Sequence, residues 1–340
     1  MATAPEVASE QDLHGLDEAA ATATAPRAPN VRMLISLEDD VQERLMNRQI
    51  EADNDVDSAL GDDDACPNDD DANEQLDIGH HIYLMLLDNK LFLAPIGPDP
   101  LKVLDIGTGT GIWAIDFADQ YPSALVIGTD LSPIQPTYVP PNLQFEIDDA
   151  ASEWTFPKNS FDFIHVRGLF GSLRDWPAFY RQVYDHLKPG GYYEQLECSV
   201  CCHADDDSTP EGSPLRRWGQ LFTLAGERMG KPTDVLDRQR QWLVDGGFEG
   251  VVEERFKMPT GLWPSAKTER GRKMKEIGKW RLAEVETGAE GWALALMTRV
   301  LGMTYAEVQA FLVEMRKAWR DKRVHGYTPV SVVYGRKPMR

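Results

Sequence analysis

Val103-Leu104-Asp105-Ile106-Gly107-Thr108-Gly109-Thr110-Gly111 is the stretch on which the reading of this 340-residue chain turns. Its apolar first half reads as a short buried parallel strand, and residues 112–120 beyond it carry helical spacing. Glycines directly after a strand allow a tight turn and a close ligand approach, and the helix start behind them offers unpaired N–H groups. A dinucleotide loop reads G-x-G-x-x-G and seats a pyrophosphate. Here the pattern is Asp-x-Gly-x-Gly-x-Gly, and a carboxylate at the strand end repels a pyrophosphate and suits a cationic ligand. Asp130 follows Gly111 by 19 residues, at the end of the next strand, where an acid can accept both hydroxyls of a ribose. A ligand with a ribose and a cationic amino-acid part, but no phosphate, is S-adenosylmethionine.

Outward from this loop the chain alternates. Strands are expected at 125–130, 143–147, 161–166 and 192–197, with a helix at 176–187 that stops at Lys188-Pro189-Gly190-Gly191. A further helix over 76–93 precedes the first strand. Residues 248–256 and 328–334 read as the last two strands of the same sheet. The expected fold class is α/β, a Rossmann-like, doubly wound, mostly parallel seven-stranded sheet. Helical insertions fill the C-terminal third. Ser213-Pro214 looks like a cap followed by a first-turn proline, and Thr304 with Glu307 fits a capping box.

The charge of -20 is concentrated at one end. Residues 1–78 hold 21 acidic and 4 basic side chains, against 34 and 31 in the rest. Such a balance excludes a strongly basic nucleic-acid binder, so no direct nucleic-acid partner is expected. No run approaches the roughly 18 apolar residues of a membrane span. The first 29 residues lack the cationic start and apolar core of a secretory signal, and four cysteines make no disulfide framework. Those features suggest a cytoplasmic protein. Residues 1–74 read as a disordered acidic region containing one amphipathic helix at 31–52, which covers its own core or meets a protein partner. The catalytic domain is expected over 75–340, with a cofactor half at 100–200 and a helical substrate lid within 205–320.

Beyond the glycine loop, Gly128-Thr129-Asp130-Leu131-Ser132, Asp148-Asp149-Ala150, Phe161-Asp162-Phe163-Ile164-His165 and Leu187-Lys188-Pro189-Gly190-Gly191 resemble the ordered motifs of class I methyltransferases. More narrowly, residues 91–97, 105–119, 127–150 and 174–197 are similar to fungal LaeA-like methyltransferases, a group associated with secondary metabolism. The resemblance implies that Asp105 and the Gly107, Thr108, Gly109 and Gly111 loop hold the methionine part of S-adenosylmethionine. It implies that Asp130 takes the ribose, that Leu131 lies against the adenine, and that Asp148, Asp149 and Ala150 meet the adenine end. His165 and Arg167 are the catalytic candidates, placed beside the departing methyl group. In-line methyl transfer needs orientation more than acid–base help, and His165 serves as base only for a protonated acceptor. The chain departs from this family ahead of residue 74, where an acidic linker replaces a Tyr-, Gly- and Arg-rich lead-in.

The remaining features have plainer accounts. His80 and His81 sit on the helix before the first strand, a segment that often caps the cofactor in methyltransferases, yet they read as surface or packing residues. Cys198, Cys201, Cys202 and His203 lack a second ligand pair, so no metal is expected. Trp263, Trp280, Trp292 and Trp319 read as core. The functional expectation is methylation of a small-molecule secondary metabolite. The alternative is a regulator of secondary metabolism working in a nuclear protein complex, and a third reading recruits the cofactor fold to non-methyl chemistry.

Overall fold

A computed structural model describes residues 70–100 and 102–339. The expected helix over 31–52 and most of the acidic region lie outside the described residues. Seven strands form one sheet: β1 (Lys102–Ile106), β2 (Leu125–Asp130), β3 (Leu143–Ile147), β4 (Phe161–Arg167), β5 (Leu187–Cys198), β6 (Glu249–Pro259) and β7 (Tyr327–Arg336). Their order is β3-β2-β1-β4-β5-β7-β6, the order of class I methyltransferases, and β7 alone runs antiparallel to both of its neighbours. The helices are α1 (Asp70–Leu86), α2 (Ile112–Gln120), α3 (Trp176–His186), α4 (Pro214–Met229), α5 (Gln239–Asp245), α6 (Glu269–Ala295) and α7 (Tyr305–Arg320).

Alternation along the buried strands sends successive side chains to opposite layers. On one face Val103, Val126 and Phe163 pack under Trp113 and Phe117 of α2. Leu196, Val330 and Val332 continue that face beneath Ile78 and Ile82 of α1 and Ile277 of α6. On the other face Leu104, Ile106, Ile164, Val166 and Tyr193 meet Trp176, Phe179, Tyr180 and Val183 of α3. A separate apolar cluster joins α4, α6 and α7 through Phe222, Val285, Phe311, Leu312 and Met315. Val308, Phe311, Leu312, Met315 and Trp319 of α7 are thus core.

Local chemistry sets the ends of these elements. Asp175 caps α3 by accepting from Ala178 N, and Thr304 with Glu307 forms the expected capping box of α7. Between β2 and β3 no helix forms, because Pro133, Pro136, Pro140 and Pro141 remove donors that a helix would need. Two expectations shift. The first helix lies earlier than 76–93, ending at Leu86, because residues 87–89 turn through positive φ at Asp88 and Asn89. β5 starts five residues before 192, since Leu187 already pairs with Phe161 across an irregular register.

Candidate active site

The carboxyl ends of β1, β2 and β4 converge on one edge of the sheet. The glycine loop there runs through positive φ at Gly107 (69°), Gly109 (59°) and Gly111 (81°), which side chains with a Cβ rarely adopt. A Cβ at Gly111 would lie 2.2 Å from the Phe145 ring, and one at Gly107 would lie 2.6 Å from Leu169 Cδ2. Gly107 N and Thr108 N donate to Thr129 O, both at 2.9 Å, which ties the loop to the end of β2.

Strand register pairs Asp105 with Gly128 on one side and His165 on the other. Asp105 is only 3% exposed, and both its oxygens are engaged: Thr108 Oγ1 donates to Oδ2 (2.6 Å) and His165 Nδ1 lies 2.7 Å from Oδ1. His165 is buried and stacks on Trp113, with ring centroids 3.7 Å apart and planes 5° from parallel. Burial lowers its pKa, against the pull of Asp105, so the neutral ring donates from Nδ1 and keeps its lone pair on Nε2.

Asp130 stands differently. Its Oδ2 accepts from Gly109 N (2.8 Å) and its Oδ1 from Ser132 N (3.0 Å), so each oxygen keeps a lone pair free. Leu131 beside it is 57% exposed. Asp149 closes its own turn, accepting from Ala151 N (2.9 Å) and Ser152 Oγ (3.0 Å), while Asp148 Oδ1 accepts from Asp149 N. Ala150 O accepts from Trp154 Nε1, which anchors the turn on the sheet. The glycine cradle, the half-free Asp130 carboxylate and the exposed Leu131 fit the backbone, ribose and adenine of S-adenosylmethionine.

Arg167 ends β4. Its guanidinium lies 2.9 Å from His80 Nδ1 and 5.4 Å from the Tyr83 ring centre, and among the described residues it pairs with no carboxylate. His80 spans onward, with Nε2 2.9 Å from Asp116 Oδ2 of α2. Asp77, one turn earlier on α1, accepts from Thr110 Oγ1 of the glycine loop (2.7 Å). Sequence reasoning raised a capping role for this segment only by resemblance and missed these polar ties. The signal was there, because Asp77, His80 and Tyr83 recur every three residues on one helix face. His80 is a buried bridging residue, whereas His81 meets Trp280 edge-on. Cys198 and Cys202 are free buried thiols, both pushed up by burial to about 11.

Residues 78–249 match the family described as a methyltransferase domain. The methyltransferase pytC of Aspergillus terreus is 37% identical over 273 residues, covering 80% of this chain and 82% of pytC. The secondary metabolism regulator LAE1 of Cochliobolus heterostrophus is 34% identical over 278 residues, covering 80% and 89%. Among solved structures, a Haemonchus contortus phosphoethanolamine N-methyltransferase aligns with a TM-score of 0.42 at 19% identity, covering 78% of this chain and 52% of that one.

Proposed function

Since the chain belongs to the S-adenosylmethionine-dependent methyltransferase family, we propose that it methylates a small-molecule secondary metabolite. The observation that carries this reading is the enclosure of the methyl-transfer end. There α1 lies latched across the strand ends, leaving a narrow space lined by His80, Tyr83, Trp113, His165, Arg167 and Leu196. That space is about 10 Å³ as it stands, room for one water, so an acceptor reaches it only when α1 shifts, and a compact molecule needs a smaller shift than a side chain carried on another protein.

In this reading the cofactor supplies an electrophilic methyl group on a sulfonium, and the protein's residues hold and orient the partners. The Gly107, Gly109 and Gly111 loop receives the methionine part, with Asp105 ordering it through Thr108. Asp130 holds the ribose hydroxyls. Leu131 and the 148–150 turn border the adenine. Arg167 donates to His80 Nδ1 and is attracted by Asp105, Asp116 and Asp77, so an anionic acceptor oxygen would join charges already balancing the guanidinium beside the sulfonium. His165, neutral and aligned by Asp105, accepts a proton from an acceptor that arrives protonated.

The test is incubation of the full chain with methyl-labelled cofactor and an extract of fungal metabolites, followed by mass spectrometry. A labelled small molecule is expected. Cofactor binding without any labelled product would instead favour a regulatory role, the reading that the similarity to LAE1 supports.

A further inference from the structure

The chain leaves β4 through residues 168–171, and all four of their peptide N–H groups bond outside the loop. Gly168 N donates to Leu196 O (3.0 Å) and Gly171 N to Pro232 O (2.9 Å). The middle two converge on one side chain: Leu169 N donates to Glu197 Oε1 (3.1 Å) and Phe170 N to Oε2 (3.3 Å). Glu197 sits at the carboxyl end of β5, wholly buried, on the face opposite Arg167.

A third donor fixes its role. Tyr180 Oη and Tyr193 Oη both donate to Gln195 Oε1, at 2.6 and 3.0 Å. That leaves Gln195 only its amide to offer, and Nε2 donates to Glu197 Oε1 at 2.9 Å. Donors therefore run one way, from tyrosines to glutamine to glutamate, and Glu197 is the terminal acceptor of three N–H groups. A carboxylate satisfies this arrangement, and an amide cannot. The loop it holds carries Leu169, whose Cδ2 would lie 2.6 Å from a Cβ at Gly107, so the leucine closes directly on the glycine loop.

We propose that Glu197 is a positioning residue for methyl transfer, its ionised carboxylate holding the loop after β4 so that Leu169 stays packed on Gly107. This rests on the assignment of the glycine loop to the cofactor. Burial pushes the Glu197 carboxyl up to about 7, against the pull of Gln195 and the two loop N–H groups. The facing groups do not compete in that range. Tyr180 of α3, Tyr193 of β5 and the adjacent Cys198 are all raised by burial and stay neutral, and Ser331 is the residue opposite on β7. The clamp is thus complete above neutral pH and slackens below it.

The test is calorimetric binding of S-adenosylhomocysteine to the full chain between pH 5.5 and 8.5. Glu197→Gln should bind at least about tenfold more weakly than wild type at pH 8, having lost a charge-assisted acceptor. The gap should close towards pH 5.5, where wild type is itself protonated. A second variant, Leu169→Ala, keeps the Glu197 carboxylate and its donors but removes the side chain that the clamp holds on Gly107; it should also weaken binding at pH 8, and Glu197→Gln added to it should cost little more. Equal affinity of Glu197→Gln and wild type at pH 8, a gap that does not change with pH, or a Leu169→Ala variant that binds as wild type does would overturn the proposal. Failure of wild type to bind at any pH would overturn the cofactor assignment beneath it.

Discussion

Two aspartates at adjacent strand ends show how much a carboxylate's partners decide. Asp105 is sealed between Thr108 and His165, whereas Asp130 accepts one backbone N–H on each oxygen and opens to the cleft. Loss of Asp130 should therefore cost ligand contacts directly. Asp130→Ala is expected to weaken S-adenosylhomocysteine binding by roughly 1.5–3 kcal/mol, the worth of hydrogen bonds to a charged group. Calorimetry at pH 7.5 checks this, and unchanged affinity would remove Asp130 from the site. Both residues stood out in the sequence from their place at strand ends beside glycines. The partnership of Asp105 with His165, 60 positions away, did not, because it depends on β1 and β4 lying in register.

At the scale of elements, α1 has two attachments of different kinds. Apolar packing of Ile78 and Ile82 fixes it to the sheet and α6, and three polar contacts tie it to the glycine loop, α2 and Arg167. Cutting one polar tie should loosen the cover without unfolding the helix. For Asp77→Leu we expect S-adenosylhomocysteine to dissociate several-fold faster, with stability lowered by about 1 kcal/mol or less. Stopped-flow displacement measures the first and thermal melting the second; an unaltered off-rate would mean that α1 does not cover the ligand. The existence of α1 was legible from its apolar spacing, though its end was set by a turn at Asp88 and Asn89 that spacing does not register. The polar latch needed the loop and β4 to arrive from distant parts of the chain.

Across the whole molecule, two buried glutamates on β5 oppose the usual acid behaviour of a folded protein. Burial pushes Glu194 to about 8 and Glu197 to about 7, from an ordinary value of 4.5. The native state then keeps protons that the unfolded chain releases. Their contribution to stability is fully present below about pH 4.5 and is lost as pH rises through about 7 and about 8. Glu194 shows the cost most clearly: Oε2 accepts from Leu93 N and Ala94 N, while Oε1 is buried with no hydrogen-bond partner. Glu194→Gln keeps an acceptor for both N–H groups and removes the charge. Its melting temperature at pH 9 should exceed that of wild type by a few degrees, and the difference should vanish near pH 5. A lower melting point at pH 9 would contradict this account of the buried acid.

The glycine loop, the strand–helix alternation and the acids at strand ends were all determined by the sequence, because each is a local matter of turn geometry, periodicity and spacing. From them follows the sheet class, while the resemblance of the motifs they form points to the methyltransferase family and the candidate cofactor contacts. Tertiary structure alone decided the rest: the Thr108–Asp105–His165 chain, the latch of α1, and the terminal acceptor role of Glu197. Each depends on at least one hydrogen bond between groups tens of residues apart: Asp105 with His165, Asp77 with Thr110, and Glu197 with Leu169. Such a bond exists only once the register of parallel strands has brought donor and acceptor together and burial has removed the water that would otherwise satisfy them.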